Sequence, residues 1–253
     1  MLKNKTILVL GAAGLLGSQV VKMLAENGAN IIAADLCLKT LKKNLKDIGI
    51  KISKKNILLS ELDVTNEQEM RMFFDDDRLL AGAVNCSYPR NTKYGSHFFD
   101  VSQESFNENI GLQLGSTFLF NQLCAYQFVK YRRPLSVVNI SSIYGSISPD
   151  FHIYEETEMT MPIEYAAVKS AIIHLVKYIS TYIQDSEFRV NCVSPGGLLD
   201  NQPPVFLERY RKKTRGKGML SPDDIIGAIV FLLSDNSQYI TGQNLIVDDG
   251  FHL

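Results

Sequence analysis

The sequence lacks three features that would mark a specialised class of protein. Its 26 basic and 27 acidic residues give a net charge of −1, so no excess of charge predicts binding to nucleic acid or to an anionic membrane. Its four cysteines, Cys37, Cys86, Cys124 and Cys192, lack the spacing of metal ligands. We therefore expect reduced core or near-core thiols, no metal site and a cytoplasmic protein.

Long apolar runs are also absent. The apolar stretches are short and interrupted, which predicts no membrane span, and the first five residues lead directly into an apolar strand without a signal peptide. No internal repeat, low-complexity segment or clear linker divides the 253 residues. With 45% hydrophobic residues the chain can bury a sizeable core, so we expect a single domain over residues 1–253.

Short apolar runs alternate with helix-forming segments along the chain. A continuous apolar run is typical of a strand buried on both faces. The alternation predicts an α/β fold of the Rossmann type, doubly wound, with a seven-stranded, mainly parallel sheet and helices on both faces. The predicted strands are Thr6–Leu10, Ile31–Ala34, Asn56–Leu59, Ala81–Cys86, Ser136–Ile140, Arg189–Val193 and Leu245–Val247.

Three predicted helices matter for the argument. A long one runs from about Gln103 to Tyr131, and another contains Tyr165 and ends near Gln184. The third covers Pro222–Leu233, with Ser221 expected as its N-cap and the proline in its first turn.

A glycine-rich loop, Gly-x-x-Gly-x-x-Gly, follows the first predicted strand and opens a helix. Glycines there let the backbone approach a pyrophosphate, which the helix N-terminus attracts. Asp35 ends the second strand, where a carboxylate can accept from both hydroxyls of an adenosine ribose and would repel a 2′-phosphate. We therefore expect NAD rather than NADP as the cofactor. The predicted contacts in the loop are Gly11, Gly14, Leu15, Leu16 and Gly17.

Further cofactor contacts are predicted at later strand ends. Asp63 can accept from the amino group of adenine and Val64 can pack on the ring, although an aspartate that starts a helix is a serious alternative interpretation. Asn85 lies at the end of the fourth strand. Pro195 and Gly196 follow the sixth strand and are expected to shape the sheet end beside the nicotinamide.

Tyr165 and Lys169 are four residues apart in a predicted helix. This spacing places them on one face with Cβ atoms about 5–6 Å apart. An ammonium at that distance favours the phenolate, and it is expected to lower the pKa of Tyr165 by about two or three units in a partly desolvated cleft. Chance often produces such a spacing, so the pair gains meaning only from the motifs around it.

Those motifs fall in a familiar order. The glycine loop, Asp35, Asp63–Val64 and the Tyr165–Lys169 pair are joined by Asn139–Ser142, Arg189–Gly197 and Ile240–Gly250. Over essentially its whole length the chain resembles the short-chain dehydrogenases/reductases. In finer detail, the Tyr165 segment and residues 195–203 are similar to the oxidoreductases of flagellin modification and surface-sugar biosynthesis.

The resemblance implies a mechanism. Tyr165 would be the general acid/base, Lys169 would lower its pKa and hold the nicotinamide ribose, and Ser142 would hydrogen-bond the reacting oxygen. Ser141 is the neighbour that a shift in register would put in that place. The expected enzyme is an NAD-dependent oxidoreductase that interconverts a secondary alcohol and a ketone, as a homotetramer or homodimer built from the two long helices and the last strand. An NAD-retaining sugar epimerase or dehydratase and a non-catalytic NAD-binding regulator are the alternatives.

The sequence departs from the family pattern at two places near this site. The family's Asn-Asn-Ala-Gly segment reads Asn85-Cys86-Ser87-Tyr88, so the tyrosine is expected to crowd or reshape the cofactor wall. Gln113 stands where a catalytic asparagine is usual, and Asn109, one helical turn earlier, is the other candidate. A glutamine amide offers the same donor and acceptor on a longer arm.

Two stretches without predicted regular structure carry opposite charges. Residues 145–161 contain an acidic insert with Asp150, His152, Glu155, Glu156 and Glu158, which either lines the substrate mouth or is a solvated loop. Residues 198–218, the expected substrate-covering segment, contain six basic residues. Guanidinium groups bind phosphate, so the expected substrate is an amino-sugar phosphate or a nucleotide-linked sugar, with a solvated basic face as the equal alternative.

Overall fold

The computed structural model describes residues 1–52, 56–76 and 78–253, and one parallel sheet forms its centre. The strand order is β3-β2-β1-β4-β5-β6-β7. Every predicted strand is confirmed, with ends that differ by no more than two residues. The strands are β1 (Thr6–Leu10), β2 (Asn30–Asp35), β3 (Ile57–Glu61), β4 (Gly82–Asn85), β5 (Leu135–Ile140), β6 (Phe188–Pro195) and β7 (Asn244–Val247).

Helices connect the strands and cover both faces of the sheet. They are α1 (Leu15–Glu26), α2 (Leu38–Asp47), α3 (Glu67–Asp75), α4 (Gln103–Ile110), α5 (Ser116–Tyr131), α6 (Ile163–Ile183), α7 (Pro204–Lys212) and α8 (Asp223–Leu233). One core packs α1, α2 and α8 on the first face, and a second packs α3, α5 and α6 on the other. The doubly wound α/β fold of the Rossmann type is therefore confirmed. Within the described residues, no helix has both the length and the apolar character that crossing a membrane requires.

The predicted long helix is interrupted. A π-helical turn, Gly111–Gly115, joins α4 to α5, and its backbone holds the buried Gln113. Turns of this kind are rare and frequently occur at functional sites.

The register of the central strands brings their carboxyl ends together. Leu10 of β1 pairs with Asn85 of β4, and Asn85 pairs with Asn139 of β5. Ile140, the last residue of β5, pairs with Val193 of β6. The segments that follow these strands, including the glycine loop and Ser141–Ser142, therefore meet at one edge of the sheet.

Two features of the C-terminal half differ from the prediction. Residues 198–218 are not irregular throughout, because α7 forms there and buries Phe206 and Tyr210. Ser221 is not the cap of α8. Its hydroxyl and its backbone N–H both donate to Asp224 Oδ2 at 2.8 Å. A charged carboxylate oxygen is a stronger hydrogen-bond acceptor than a neutral oxygen.

The cysteines follow the prediction at three of four positions. All four are free; Cys124 and Cys192 are buried, and Cys86 is partly buried. Cys37 is exposed, because it lies in the short connection between β2 and α2.

Candidate active site

The glycine loop between β1 and α1 is packed too closely for side chains. Gly11 has φ +70°, and a Cβ there would lie 2.7 Å from the backbone of Cys86 and Ser87. A Cβ on Gly17 would lie 2.1 Å from the carbonyl oxygen of Gly11. The loop therefore leaves its backbone bare at the N-terminus of a helix of 12 residues, which suits an anionic pyrophosphate.

Asp35 lies beside this loop rather than in an isolated turn. Its Oδ2 accepts a hydrogen bond from the backbone N–H of Ala13 at 2.8 Å. Ala12 donates to the carbonyl of Ala34 at 3.1 Å, which fixes the loop against the end of β2. The carboxylate and the bare backbone are thus adjacent, as the binding of a ribose and a pyrophosphate of one dinucleotide requires. The chain's own residues fit NAD.

The contacts of Asp63 and Val64, unlike those of Asp35, do not link them to the glycine loop. Asp63 Oδ1 accepts from the backbone N–H and the hydroxyl of Thr65, at 2.8 and 2.7 Å, which is a local turn before α3. Asn66 caps that helix, and its side chain accepts from the backbone N–H groups of Gln68 and Glu69. Val64 packs against the core. The adenine contact of this pair stays a prediction.

Ser142, Tyr165 and Lys169 are brought together by β5 and α6. The Ser142 hydroxyl interacts with the Tyr165 phenol, and its oxygen also accepts from the backbone N–H of Tyr144 at 3.2 Å. Ser141 points elsewhere, since its hydroxyl donates to the backbone carbonyl of Lys169 at 2.7 Å. The structure therefore puts Ser142, not Ser141, beside the phenol.

The prediction that Lys169 lowers the pKa of Tyr165 is wrong. Burial raises that pKa, and the hydrogen bond from Ser142 opposes the rise. Lys169 Nζ lies 5.4 Å from the centre of the Tyr165 ring and donates to the carbonyl of Ile140 at 2.9 Å. Desolvation also lowers the pKa of Lys169 itself to about 8. Burial and the Ser142 hydrogen bond, not the charge of Lys169, set the pKa of Tyr165, and burial is the larger of the two.

Gln113 and Asn109 have different surroundings. Gln113 lines a cavity of about 10 Å³ together with Lys169, Asn139 and Asn85, which is room for about one water molecule. Neither polar atom of its buried amide makes a hydrogen bond of standard geometry within the described part of the chain, although the Tyr94 hydroxyl interacts with it.

Asn109 is fully buried and its amide is already engaged. It donates to the carbonyl of Ser105 at 3.0 Å and to the side chain of Asn91 at 3.1 Å, and it accepts from the Asn91 backbone at 3.1 Å. Of the two amides, only Gln113 lines the cavity that Lys169 borders.

Two ion pairs join the acidic insert to the basic segment. Asp150 forms an ion pair with Lys213 at 2.9 Å, and Glu156 forms one with Arg209. Arg209 also donates to the carbonyl of Glu155. The solvated interpretation describes most of these charges, since His152, Glu155, Glu156 and Glu158 are exposed, as are five of the six basic residues. The ion pairs add a contact between the two stretches that neither interpretation contained.

An aromatic cluster lies beneath these ion pairs and beside Tyr165. Tyr154 of the insert packs on Phe206 of α7, with ring centres 5.1 Å apart. Tyr210 stacks on Phe251 at 4.5 Å. The insert and α7 therefore form one cover over the tyrosine.

Three site residues were missed from the sequence. The Tyr210 hydroxyl accepts from the backbone N–H of Gly197 at 2.6 Å, and so ties α7 to the loop after Pro195–Gly196. A Cβ on Gly145 would lie 2.7 Å from the backbone carbonyl of Lys169, so this glycine lets the turn after Ser142 pack on α6. A glycine three residues after Ser142 is a sequence signal that could have indicated this close packing. The sequence contains no comparable signal for the role of Tyr210. The third, Tyr94, hydrogen-bonds Tyr88 through their hydroxyls.

A Rossmann-type sheet with a dinucleotide loop and a Ser–Tyr–Lys group at one edge defines a nicotinamide-dependent oxidoreductase. Comparisons with known proteins agree. A family model described as enoyl-(acyl carrier protein) reductase matches residues 11–252. The chain belongs to the short-chain dehydrogenase/reductase family.

Individual relatives cover the chain almost completely. It is 38% identical to post-translational flagellin modification protein A of Campylobacter coli, over 100% of both chains. It is 29% identical to the 3-oxoacyl-[acyl-carrier-protein] reductase FabG of Chlamydia muridarum, over 99% of this chain and 98% of the relative. A short-chain dehydrogenase from Leptospira borgpetersenii with bound NAD⁺ is 30% identical, with a TM-score of 0.86 over 100% of this chain and 94% of the other.

Proposed function

We propose that the protein is an NAD-dependent oxidoreductase that interconverts a secondary alcohol and a ketone on a sugar of surface-glycan biosynthesis, as an amino-sugar phosphate or a nucleotide-linked sugar. The observation that carries the chemical part is the contact of Ser142 with Tyr165, one helical turn from Lys169, beside the glycine loop. The sugar part is supported by the flagellin modification relative, which matches over its full length.

The residues of the chain supply binding and proton transfer. Asp35 and the glycine loop would hold the adenosine ribose and pyrophosphate of NAD, whose nicotinamide exchanges the hydride when bound. Ser142 would donate to the substrate oxygen and stabilise the charge that develops on it. Tyr165 would exchange a proton with the same oxygen. Because its pKa is raised, Tyr165 is protonated at neutral pH and serves as the acid in ketone reduction.

The same pKa determines the pH dependence of the reverse reaction. Alcohol oxidation needs the phenolate, and a raised pKa keeps the phenolate fraction small at neutral pH. Oxidation therefore accelerates as the pH rises, until Lys169, whose ammonium would hold the nicotinamide ribose and whose pKa is about 8, loses its charge.

Two of the basic residues that the sequence offers for a phosphate are engaged in ion pairs. Arg209 and Lys213 are paired with Glu156 and Asp150, so they would reach a phosphate only if the cover opened. Arg211, an exposed residue of α7, is the remaining guanidinium in that helix.

A panel of phosphorylated and nucleotide-linked sugars, screened for NADH formation with NAD and for NADPH formation with NADP, tests the proposal. We expect NADH formation with at least one sugar and a clear preference for NAD. Conversion of a sugar without net NADH would identify an epimerase or dehydratase instead. NAD binding without conversion of any sugar or of simple secondary alcohols would identify a regulator.

We further propose a homodimer or homotetramer built on α5 and α6. Both helices expose large side chains: Phe118 (50%) on α5, and Tyr178 (62%) and Tyr182 (74%), which stack on each other at 6.0 Å, on α6. Exposed apolar surface of this size is typical of an interface.

Replacing Phe118 tests the oligomer. We expect Phe118→Lys to shift the mass measured by light scattering toward the monomer, because a charge would be buried without a partner in the interface. Met72→Lys, on the exposed surface of α3, is the matched control and should keep the wild-type mass. A monomeric wild type, or an unchanged mass for Phe118→Lys, contradicts this interface.

A further inference from the structure

Tyr88 occupies the end of β4 where the family has a glycine, and its ring contacts both members of the Tyr165–Lys169 pair. It meets the Tyr165 ring edge to face, with centres 5.8 Å apart and planes at 88°. Lys169 Nζ lies 5.5 Å from the centre of the Tyr88 ring and 5.4 Å from that of Tyr165. The ammonium is therefore within reach of two aromatic rings, each of which attracts a cation.

Lys169 needs such support because it is buried. Only 7% of the residue is exposed, and its Nζ donates to the carbonyl of Ile140. The titratable groups that face it, besides the two tyrosines, are the thiols of Cys86 on the β4 side and Cys192 on β6, both kept neutral because burial raises their pKa. The surroundings of the ammonium therefore contain one hydrogen-bonded carbonyl, neutral thiols, two aromatic rings and the polar side chains of the small cavity, but no carboxylate among the titratable groups that face it within the described residues.

Tyr88 is itself held in place and kept neutral. Its hydroxyl hydrogen-bonds the Tyr94 hydroxyl, and the Arg90 guanidinium lies 5.5 Å from the centre of its ring. Burial raises the pKa of both phenols, but at Tyr165 the hydrogen bond with Ser142 opposes the rise. The two phenols beside Lys169 are thus separated in role: one can exchange a proton, and the other offers a permanent ring face.

We propose that Tyr88 is a positioning residue whose ring holds the Lys169 ammonium, charged and aligned, against Tyr165. The ring takes over part of the stabilisation that burial removes from the lysine. For its catalytic consequence the inference rests on the proposed function, since that function gives Lys169 its role, but the contact itself can be tested without a substrate.

The test is a pH titration of lysine side chains by NMR, with ¹³C-labelled lysine and Lys169→Met to assign the signal. We expect Tyr88→Phe, which keeps the ring, to leave the pKa of Lys169 unchanged. Tyr88→Leu removes the ring and should lower that pKa by about one unit, the size of a partly desolvated cation–π contact. Tyr88→Met, a flexible apolar residue, provides a second variant without a ring if the leucine does not fold.

Two outcomes would overturn the inference. An unchanged pKa of Lys169 in both ringless variants would show that the ring does not stabilise the ammonium. Equal shifts in Tyr88→Phe and Tyr88→Leu, reproduced by Tyr94→Phe, would assign the effect to the hydroxyl pair instead. Because no substrate enters the titration, its failure is distinguishable from failure of the sugar panel. Once a substrate is known, the alkaline limb of the kcat profile should move to lower pH in Tyr88→Leu and stay in place in Tyr88→Phe.

Discussion

Tyr165→Phe is expected to lower kcat at least about 10³-fold, while the affinity for NAD changes less than about threefold. The substitution removes one hydroxyl and keeps the ring that contacts Tyr88 and Lys169. Proton transfer to or from the substrate oxygen then lacks its donor. The ring contacts and the glycine loop, which would bind the cofactor, are unaltered.

The measurement is steady-state kinetics with a substrate from the sugar panel, beside calorimetric titration of NAD. Tyr239→Phe is the matched control, since this tyrosine is 88% exposed, and it should keep wild-type kcat. Full activity of Tyr165→Phe would refute the mechanism. A loss of NAD binding as large as the loss of turnover would give the tyrosine a structural role in place of a chemical one.

Gly17→Ala is expected to reduce NAD affinity at least tenfold and to lower the free energy of unfolding by about 1–3 kcal/mol. The added Cβ would lie 2.1 Å from the oxygen and 2.9 Å from the carbon of the Gly11 carbonyl. Both are backbone atoms, so no flexible side chain can move aside. Gly11 is pressed in turn against the backbone of Cys86 and Ser87, and the strain therefore spreads through the loop.

Thermal unfolding with and without NAD measures both effects, because a ligand stabilises only the fold that binds it. Gly227→Ala in α8 is the control. This glycine is exposed, a Cβ there meets nothing within 4 Å, and the variant should be more stable by up to about 1 kcal/mol. If Gly17→Ala behaves like Gly227→Ala, the loop does not have the packing described.

The features that the sequence predicted correctly are those that depend on local patterns of residues. Buried strands need continuous apolar runs, so all seven were found within two residues of their ends. The glycine loop and Asp35 follow from covalent order, because a loop after β1 and a residue at the end of β2 must meet when the two strands are parallel neighbours.

The sequence predictions were wrong or left open where several partners compete for the same side chain. Ser221 has the residue type of an N-cap, but the Asp224 carboxylate accepts its hydroxyl and its N–H. From the sequence, the charged residues of the insert and of α7 are equally compatible with ligand binding and with a solvated surface. Their true partners, such as Asp150 and Lys213, are 63 positions apart and meet only because both segments cover the same edge of the sheet.

By itself the sequence determined the family and the parallel sheet, and it named the glycine loop and the Ser142, Tyr165 and Lys169 group as the candidate site. Periodicity, glycine spacing and the i, i+4 rule act over a few residues, and a linear pattern records them. Only the tertiary structure decided the ionisation of that group. Burial raises the pKa of Tyr165 and lowers that of Lys169, because desolvation depends on everything packed around a side chain.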